Sequence, residues 1–192
     1  MTDPTDNGLY RTGGNGPPEK FDDALNLIWR AESIDGLRGQ SWLHRHALLV
    51  GSALWVSPGA GWPIFLYNGA DGSVRGVLAL ADGGAVDNPE IGSNFEDIQT
   101  IQAHSDINGL GMPGVLVTTD GGRLYGIEND ATVLWSRTFE SELGVPVVIE
   151  PGPVSPVRLA LPVGLGYIDL LGPSGPTPPK VVWDIACPLS PE

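Results

Sequence analysis

Residues 106–139 read DINGLGMPGVLVTTDGGRLYGIENDATVLWSRTF, and this stretch predicts three consecutive β-strands. Each strand is a short run rich in apolar and β-branched residues. The three are Val115–Thr119, Arg123–Glu128 and Thr132–Thr138. Asp120-Gly121-Gly122 makes the first turn, because glycine adopts positive φ without a steric penalty. Asn129-Asp130 makes the second turn, so an antiparallel meander is expected whose last strand carries Trp135.

The composition favours an all-β protein. The chain has 192 residues, enough for one large domain or two small ones, and it contains 27 glycines and 18 prolines. These residues stand between short apolar runs, which is typical of strands joined by many turns and not of a helical bundle. The single cysteine, Cys187, excludes an intramolecular disulfide framework and is expected to be a small buried hydrophobe.

The net charge of −13 limits the classes of partner. No lysine or arginine occurs between Arg75 and Arg123, whereas seven acidic residues do. They are Asp82, Asp87, Glu90, Glu96, Asp97, Asp106 and Asp120. A surface of this sign repels phosphate backbones and anionic membranes, so no nucleic-acid or membrane partner is expected. It attracts a basic protein or a cation, although acidity also serves solubility alone.

Neither a transmembrane helix nor a signal peptide is expected from this sequence. No apolar run reaches the roughly 18 residues that span a bilayer. The first residues, MTDPTDNGLYRTGGNG, have no basic segment followed by an apolar one. A cytoplasmic location is the default expectation, and a mature or truncated secreted chain would have the same features.

The N-terminal region carries two predictions. Residues 1–20 are polar and rich in glycine and proline, which predicts a flexible tail or docking arm ahead of a single domain over residues 21–192. Phe21–Ser33 has the apolar spacing of a helix, but Leu27-Ile28-Trp29 matches two later segments. These are Val133-Leu134-Trp135 and Val181-Val182-Trp183. A strand is therefore favoured, and structural roles are predicted for Trp29, Trp135 and Trp183.

A repeat emerges when the chain is aligned on prolines. Pro63, Pro113 and Pro156 each precede an apolar run, and they are 50 and 43 residues apart. In this alignment Ile64–Tyr67 corresponds to the strand that begins at Val115. A period of about 40–50 residues with several strands per copy is typical of propeller blades. The predicted blades cover about residues 37–82, 95–139 and 145–187, preceded by the strand with Trp29.

Two long connections interrupt the repeat. Ala81–Asn94 is acidic and links the first two copies, and Leu171–Lys180 carries four prolines before the last strand. Insertions of this kind commonly lie on one rim of a propeller, where binding surfaces form. They are candidate partner surfaces, or else tolerated surface variation.

The repeat resembles two families of β-propeller. The match to the quinoprotein-like (PQQ-like) repeat is Gly122-Arg123-Leu124-Tyr125-Gly126-Ile127 followed by Val133-Leu134-Trp135. The resemblance implies that the tryptophan docks one blade against the next, with the indole ring buried and its N–H on a backbone acceptor. It does not imply a quinone for so short a chain, and no cofactor is expected.

The second resemblance is to the FG-GAP/VCBS repeat of integrin-like propellers, whose loop D-x-D/N-x-D-G-x-x-D/E binds calcium. Residues 106–114, DINGLGMPG, are similar to that loop, with Asp106 and Asn108 in ligand positions. Leu110 and Gly114 stand where the family has carboxylates, and calcium takes roughly 6–8 oxygen ligands. Asp106 and Asn108 are therefore weak metal candidates, and the alternative is that they hydrogen-bond to their own loop.

The three histidines offer another route to metal chemistry. His44 and His46 point to the same face of a strand, and imidazoles at this spacing can hold zinc with a third ligand such as His104. A metal-dependent enzyme, or a sugar- or metal-binding propeller, is thus an alternative function, against a solvated strand face with Arg45 between the pair. The sequence has no nucleophile elbow, phosphate-binding loop or paired zinc cysteines, and no catalytic residue is predicted.

Three copies and one leading strand do not make a ring, since propellers have typically 4–8 blades. Either residues 7–31 supply a fourth blade, or two chains form one larger ring, or the open face docks a partner. An open blade leaves an apolar face and unpaired strand edges. The leading hypothesis is therefore a non-enzymatic protein-binding or scaffolding module, completed by self-association or by another chain. An acidic inhibitor or immunity-type protein of a basic partner is a further alternative.

Overall fold

The computed structural model describes residues 8–12, 16–31, 46–58, 62–81, 84–87, 95–105, 107, 112–141, 143–149, 158–163, 166–171 and 181–185. The regular structure in these ranges is antiparallel β-sheet throughout, so the predicted all-β class is confirmed. Sixteen strands in these ranges form four sheets. In the same ranges no helix is long and apolar enough to cross a membrane.

The first compact unit comprises Met1–Asp97 with Asn129–Ala131 and holds two sheets. The first sheet consists of β1 (Leu9–Arg11), β2 (Glu19–Phe21) and β3 (Leu27–Arg30). The second sheet consists of β4 (His46–Val50), β5 (Ala53–Ser57), β6 (Ile64–Asn68), β7 (Val74–Ala81) and β8 (Gly84–Asp87). In both sheets each strand pairs with the next strand in sequence.

The second compact unit comprises Ile98–Glu128 and Thr132–Glu192 and also holds two sheets. The third sheet consists of β9 (Ile98–His104), β10 (Gly114–Thr119), β11 (Arg123–Glu128) and β12 (Val133–Thr138). The fourth consists of β13 (Val147–Ile149), β14 (Arg158–Val163), β15 (Gly166–Leu171) and β16 (Val181–Ile185). Strands β10, β11 and β12 confirm the meander predicted from the sequence, and Gly122 has a φ of 71° in its first turn.

Each unit has an apolar core to which both of its sheets contribute. In the first unit the buried core residues are Tyr10, Trp29, Ala31, Leu54, Val56, Phe65 and Tyr67. In the second unit they are Ile107, Leu116, Leu124, Trp135, Leu143 and Leu161. The central strands β5, β6 and β10 are buried along almost their whole length, as is typical of strands with both faces covered.

The last hairpin of the first sheet contains a β-bulge beside its tryptophan. Lys20 pairs with Trp29 and Phe21 pairs with Leu27, so Ile28 is an extra residue in β3. A bulge of this kind leaves one residue outside the ladder and increases the local twist.

The same bulge recurs in the other three sheets. The extra residue is Leu134 in β12, Val182 in β16 and Arg75 in β7. The residue that follows the bulge is Trp135 in the third sheet and Trp183 in the fourth. The three tryptophan strands are therefore equivalent, as the sequence predicts, and Gly76 takes the tryptophan's place in the second sheet.

The proline alignment of the first copy is wrong by one strand. The bulge makes β7 the counterpart of β3, β12 and β16, so β6 corresponds to β11 and not to β10. Pro63 misleads because proline marks the start of a strand wherever that strand lies in the sheet. Strand β8 is then an additional edge strand, and it lies inside Ala81–Asn94, which the sequence predicts as a connection.

The N-terminal prediction also differs from the structure. The sequence predicts a flexible tail over residues 1–20, yet Leu9–Arg11 and Glu19–Phe21 form strands. Strands of three residues are too short to show an alternating pattern above the polar background. They join β3 in a separate three-stranded sheet.

Candidate functional site

One face of the first sheet packs on the second sheet. Cross-strand partners share a face of a sheet, and Tyr10 pairs with Lys20, which in turn pairs with Trp29. All three residues are buried. This row is the packed face of the first sheet.

The packed face converges on one backbone carbonyl of the β6–β7 turn. The hydroxyl of Tyr10, the ammonium of Lys20 and the indole N–H of Trp29 each donate to the oxygen of Gly69 at 3.1 Å. Lys20 Nζ also lies 5.2 Å from the centroid of the Tyr10 ring, where a cation is stabilised by the ring's negative face. The buried ammonium is thus well partnered, which indicates a structural role in joining the two sheets.

Trp29 rests on a glycine of the same turn. Gly72 has a φ of 74°, and a Cβ built on it lies 2.5 Å from Cε3 of Trp29. A flat indole therefore lies on this glycine with its N–H on the Gly69 oxygen, and it joins the first sheet to the second. In the third sheet Trp135 lies across its cross-strand partner Gly126, where a Cβ meets the ring.

The opposite face of the first sheet carries a row of charges. Glu19 pairs in the ladder with Arg11 on one side and Arg30 on the other. Arg30 Nε donates to Glu19 Oε1 at 2.6 Å, and Arg11 forms an ion pair with Glu19 Oε2. The Glu19 side chain is 2% exposed, whereas those of Arg11 and Arg30 are 62% and 59% exposed. One buried carboxylate therefore holds two guanidinium groups that still face solvent.

An apolar row lies on the same face, two residues along the strands. Phe21 pairs with Leu9 in β1 and with Leu27 in β3, and the Arg11 guanidinium lies 5.8 Å from the centroid of the Phe21 ring. The exposed fractions are 37% for Leu9, 49% for Leu27, 52% for Ile28 and 67% for Leu25. Four of the eight exposed large hydrophobic side chains in the described residues thus belong to this one sheet and its turn.

The turn between β2 and β3 holds Leu25 in a left-handed conformation, with a φ of 64°. Asp22 closes the turn, since its Oδ1 accepts from the Asn26 N–H at 2.7 Å and its Oδ2 accepts from Asn26 Nδ2 at 2.9 Å. These bonds hold the pKa of Asp22 below its ordinary value, and the bond from the Asn26 side chain has the largest effect. A leucine at positive φ costs about 1 kcal/mol relative to glycine.

The left-handed position recurs in two other hairpins. Gly72 and Ala131, with φ of 74° and 76°, each lie four residues before the position of the tryptophan or of Gly76, as Leu25 does. The backbone strain therefore comes from a shared hairpin geometry. What distinguishes the first sheet is a large apolar side chain at that position, 67% exposed.

The metal candidates are only partly described. His46 lies half-buried in β4 of the first unit, and His104 lies buried in β9 of the second. His44, Asp106, Asn108 and Cys187 lie outside the described residues. Within the described ranges, no three His, Cys, Asp or Glu side chains form a group that could hold a metal ion.

Sequence reasoning missed Glu19, Lys20 and Arg11, because they fall in the stretch predicted as a tail. Of the Pro-rich segment Leu171–Lys180, only Leu171 is described, as the end of β15. No protein-family model matches the sequence, and no curated protein matches it. Among the described residues, the first sheet therefore carries the side chains that point to a function.

Proposed function

We propose that this chain is a non-enzymatic protein-binding module that docks through its first sheet. The docking face consists of Leu9, Leu25, Leu27 and Ile28 together with Arg11 and Arg30. The observation that carries the proposal is the clustering of exposed apolar side chains there. Single exposed hydrophobic residues are ordinary on a protein surface, whereas a contiguous group rimmed by polar residues marks an interaction site.

The composition of the docking face supports this reading. Arginine is enriched at protein interfaces because its planar group stacks on apolar neighbours while binding carboxylates. Arg11 already lies over Phe21, and both arginines are fixed by Glu19. The exposed apolar area is on the order of 300–400 Å², which suits a weak or transient interface.

We also propose that the four sheets are the blades of a small β-propeller. The support is that all four are sequential meanders with the same bulged hairpin, and that Trp29 contacts the next sheet in the chain. A compact chain of this length has a radius of gyration of about 16 Å. Small-angle X-ray scattering of dilute monomer tests the ring, and a much larger radius contradicts closure.

Photocross-linking in the native host tests the binding function. A photoreactive amino acid replaces Ile28, which is exposed in β3, and the matched control replaces Ser136, which is exposed in the equivalent strand β12. A discrete protein adduct from position 28 and none from position 136 is expected. No adduct from position 28, or the same adducts from both positions, refutes the proposal.

A further inference from the structure

Charges are arranged in order along the docking face. At one end Asp22 and Asp23 begin the β2–β3 turn, and at the other end lies the row of Arg11, Glu19 and Arg30. The apolar row of Leu9, Phe21 and Leu27 lies between them. We propose that the docking face binds a second copy of this chain, with the two first sheets antiparallel about a two-fold axis. This inference rests on the proposed function and names its partner.

The spacing of the three groups makes the face complementary to itself. Glu19 lies two residues before Phe21, about 7 Å along the strand, and Asp23 lies two residues after Phe21, in the β2–β3 turn. A two-fold axis through the apolar row therefore places Asp23 of one copy near the arginines of the other copy. The same contact forms twice, as a two-fold interface requires.

Charge also favours self-association through this face over self-association through other parts of the surface. The chain carries a net charge of −13, so two copies repel each other at most orientations. The charged row has two arginines and one glutamate, and thus a local excess of positive charge. Asp23 is exposed, whereas the Asp22 carboxylate is bonded to Asn26. The first sheet thus offers an acidic end and a basic end that can meet at short range.

The limited area sets the expected strength. A stable dimer buries about 800 Å² per partner, and the apolar part of this face supplies about half of that. The repulsion between two acidic copies also opposes association. The dimer is therefore expected to be weak, with a dissociation constant on the order of 10 μM or above. It is therefore populated at high protein concentration and lost on dilution.

Sedimentation equilibrium of the purified chain from about 1 μM to about 300 μM tests the inference, because this range spans weak association. The average mass should rise from the 20.2 kDa of the monomer towards twice that value. Leu27→Glu and Asp23→Arg should each weaken association at least about tenfold. Val145→Glu is the matched control, since Val145 is 57% exposed in the second unit, and it should behave as the wild type.

Disulfide trapping tests the orientation. In a Cys187→Ala background, Leu27→Cys should cross-link two copies under mild oxidation, because its row lies on the proposed axis. Val145→Cys should not. Thermal melting of each variant, and of the Cys187→Ala background, separates loss of folding from loss of association, and Asp23, Leu27 and Val145 are all exposed.

The outcomes separate this inference from the proposed function. A wild-type chain that stays monomeric at about 300 μM overturns the second-copy inference, as does a Leu27→Glu variant that associates like the wild type. A monomeric chain whose position 28 cross-links to a different protein overturns the inference and leaves the binding function in place. An adduct of two copies supports both.

Discussion

Replacing Gly72 with alanine is expected to loosen the contact between the first and second sheets. The expected loss is about 3 kcal/mol in the free energy of unfolding, from two sources. The first is the backbone, because Gly72 has a φ of 74° and alanine in this region costs about 1 kcal/mol. Ala131 adopts a φ of 76° at the equivalent position, so the backbone alone tolerates alanine.

The second source is the Trp29 ring. The new Cβ lies 2.5 Å from Cε3 of Trp29, whereas carbon atoms in contact lie about 3.5 Å apart, so the ring must move by roughly 1 Å. The bond from Trp29 Nε1 to the Gly69 oxygen, 3.1 Å long, does not survive a shift of that size. A buried donor left without a partner costs about 1–3 kcal/mol.

Urea unfolding measures the loss, and a double-mutant cycle assigns it. Gly16→Ala is the control, because a Cβ at Gly16 meets no atom within 4 Å. In a Trp29→Leu background, Gly72→Ala should cost only the backbone term, which gives a coupling of about 2 kcal/mol. If Gly72→Ala costs about 1 kcal/mol in both backgrounds, Trp29 does not rest on Gly72 and the reasoning is wrong.

Four further substitutions test other contacts. Leu25→Gly and Ala131→Gly should each raise the free energy of unfolding by about 0.5–1 kcal/mol, because glycine relieves the left-handed strain. Only Leu25→Gly should also weaken self-association. Equal sedimentation of the two variants contradicts a role for the Leu25 side chain in self-association. Burial raises the pKa of Tyr67, whose hydroxyl has no hydrogen-bond partner among the described residues, so stability should fall as the pH rises above about 10. Tyr67→Phe should leave neutral-pH stability unchanged or higher and flatten this alkaline loss, and a clear destabilisation at pH 7 shows that the hydroxyl is bonded. The hydroxyl and backbone N–H of Ser73 lower the pKa of Asp71, so its stabilising effect is present above about pH 4 and is lost as the pH falls. Asp71→Asn should therefore show a shallower fall of Tm with acid, and an unchanged slope refutes this.

The central meander was predictable because its signals are local. Glycine turns and apolar runs specify β10, β11 and β12 without reference to the rest of the chain. The recurrence of an apolar pair before tryptophan also identified equivalent strands, since the bulge lies directly before the tryptophan in each of them. Both features could be predicted from the sequence without knowing how distant parts of the chain pack together.

The first sheet was not predictable in the same way. Its β1 and β2 have three residues each, and the burial of Lys20 and Glu19 depends on partners elsewhere in the fold. The sequence predicts that charged residues at such positions face solvent, because ionised side chains are rarely buried without partners. The docking face could therefore be found only once the strands were paired.

The left-handed φ of Leu25 was also hidden. Asp22 and Asn26 suit a turn, but a leucine between them gives no sign of positive φ. Gly72, at the equivalent position, does indicate positive φ, but the proline alignment assigned Gly72 to a different pair of strands. A correct register of the repeats is thus what connects the two positions.

The order of strands in the sheets has a consequence for folding kinetics. Among the described residues, every strand pairs only with its neighbours in sequence, so each sheet closes short loops. The bonds to the Gly69 carbonyl instead span 59, 49 and 40 residues. Hairpins are therefore expected to form early, and attachment of the first sheet to the second is expected to come late. The first sheet should then separate first on unfolding, and the backbone amides of β1, β2 and β3 should exchange with solvent faster than those of β5 and β6.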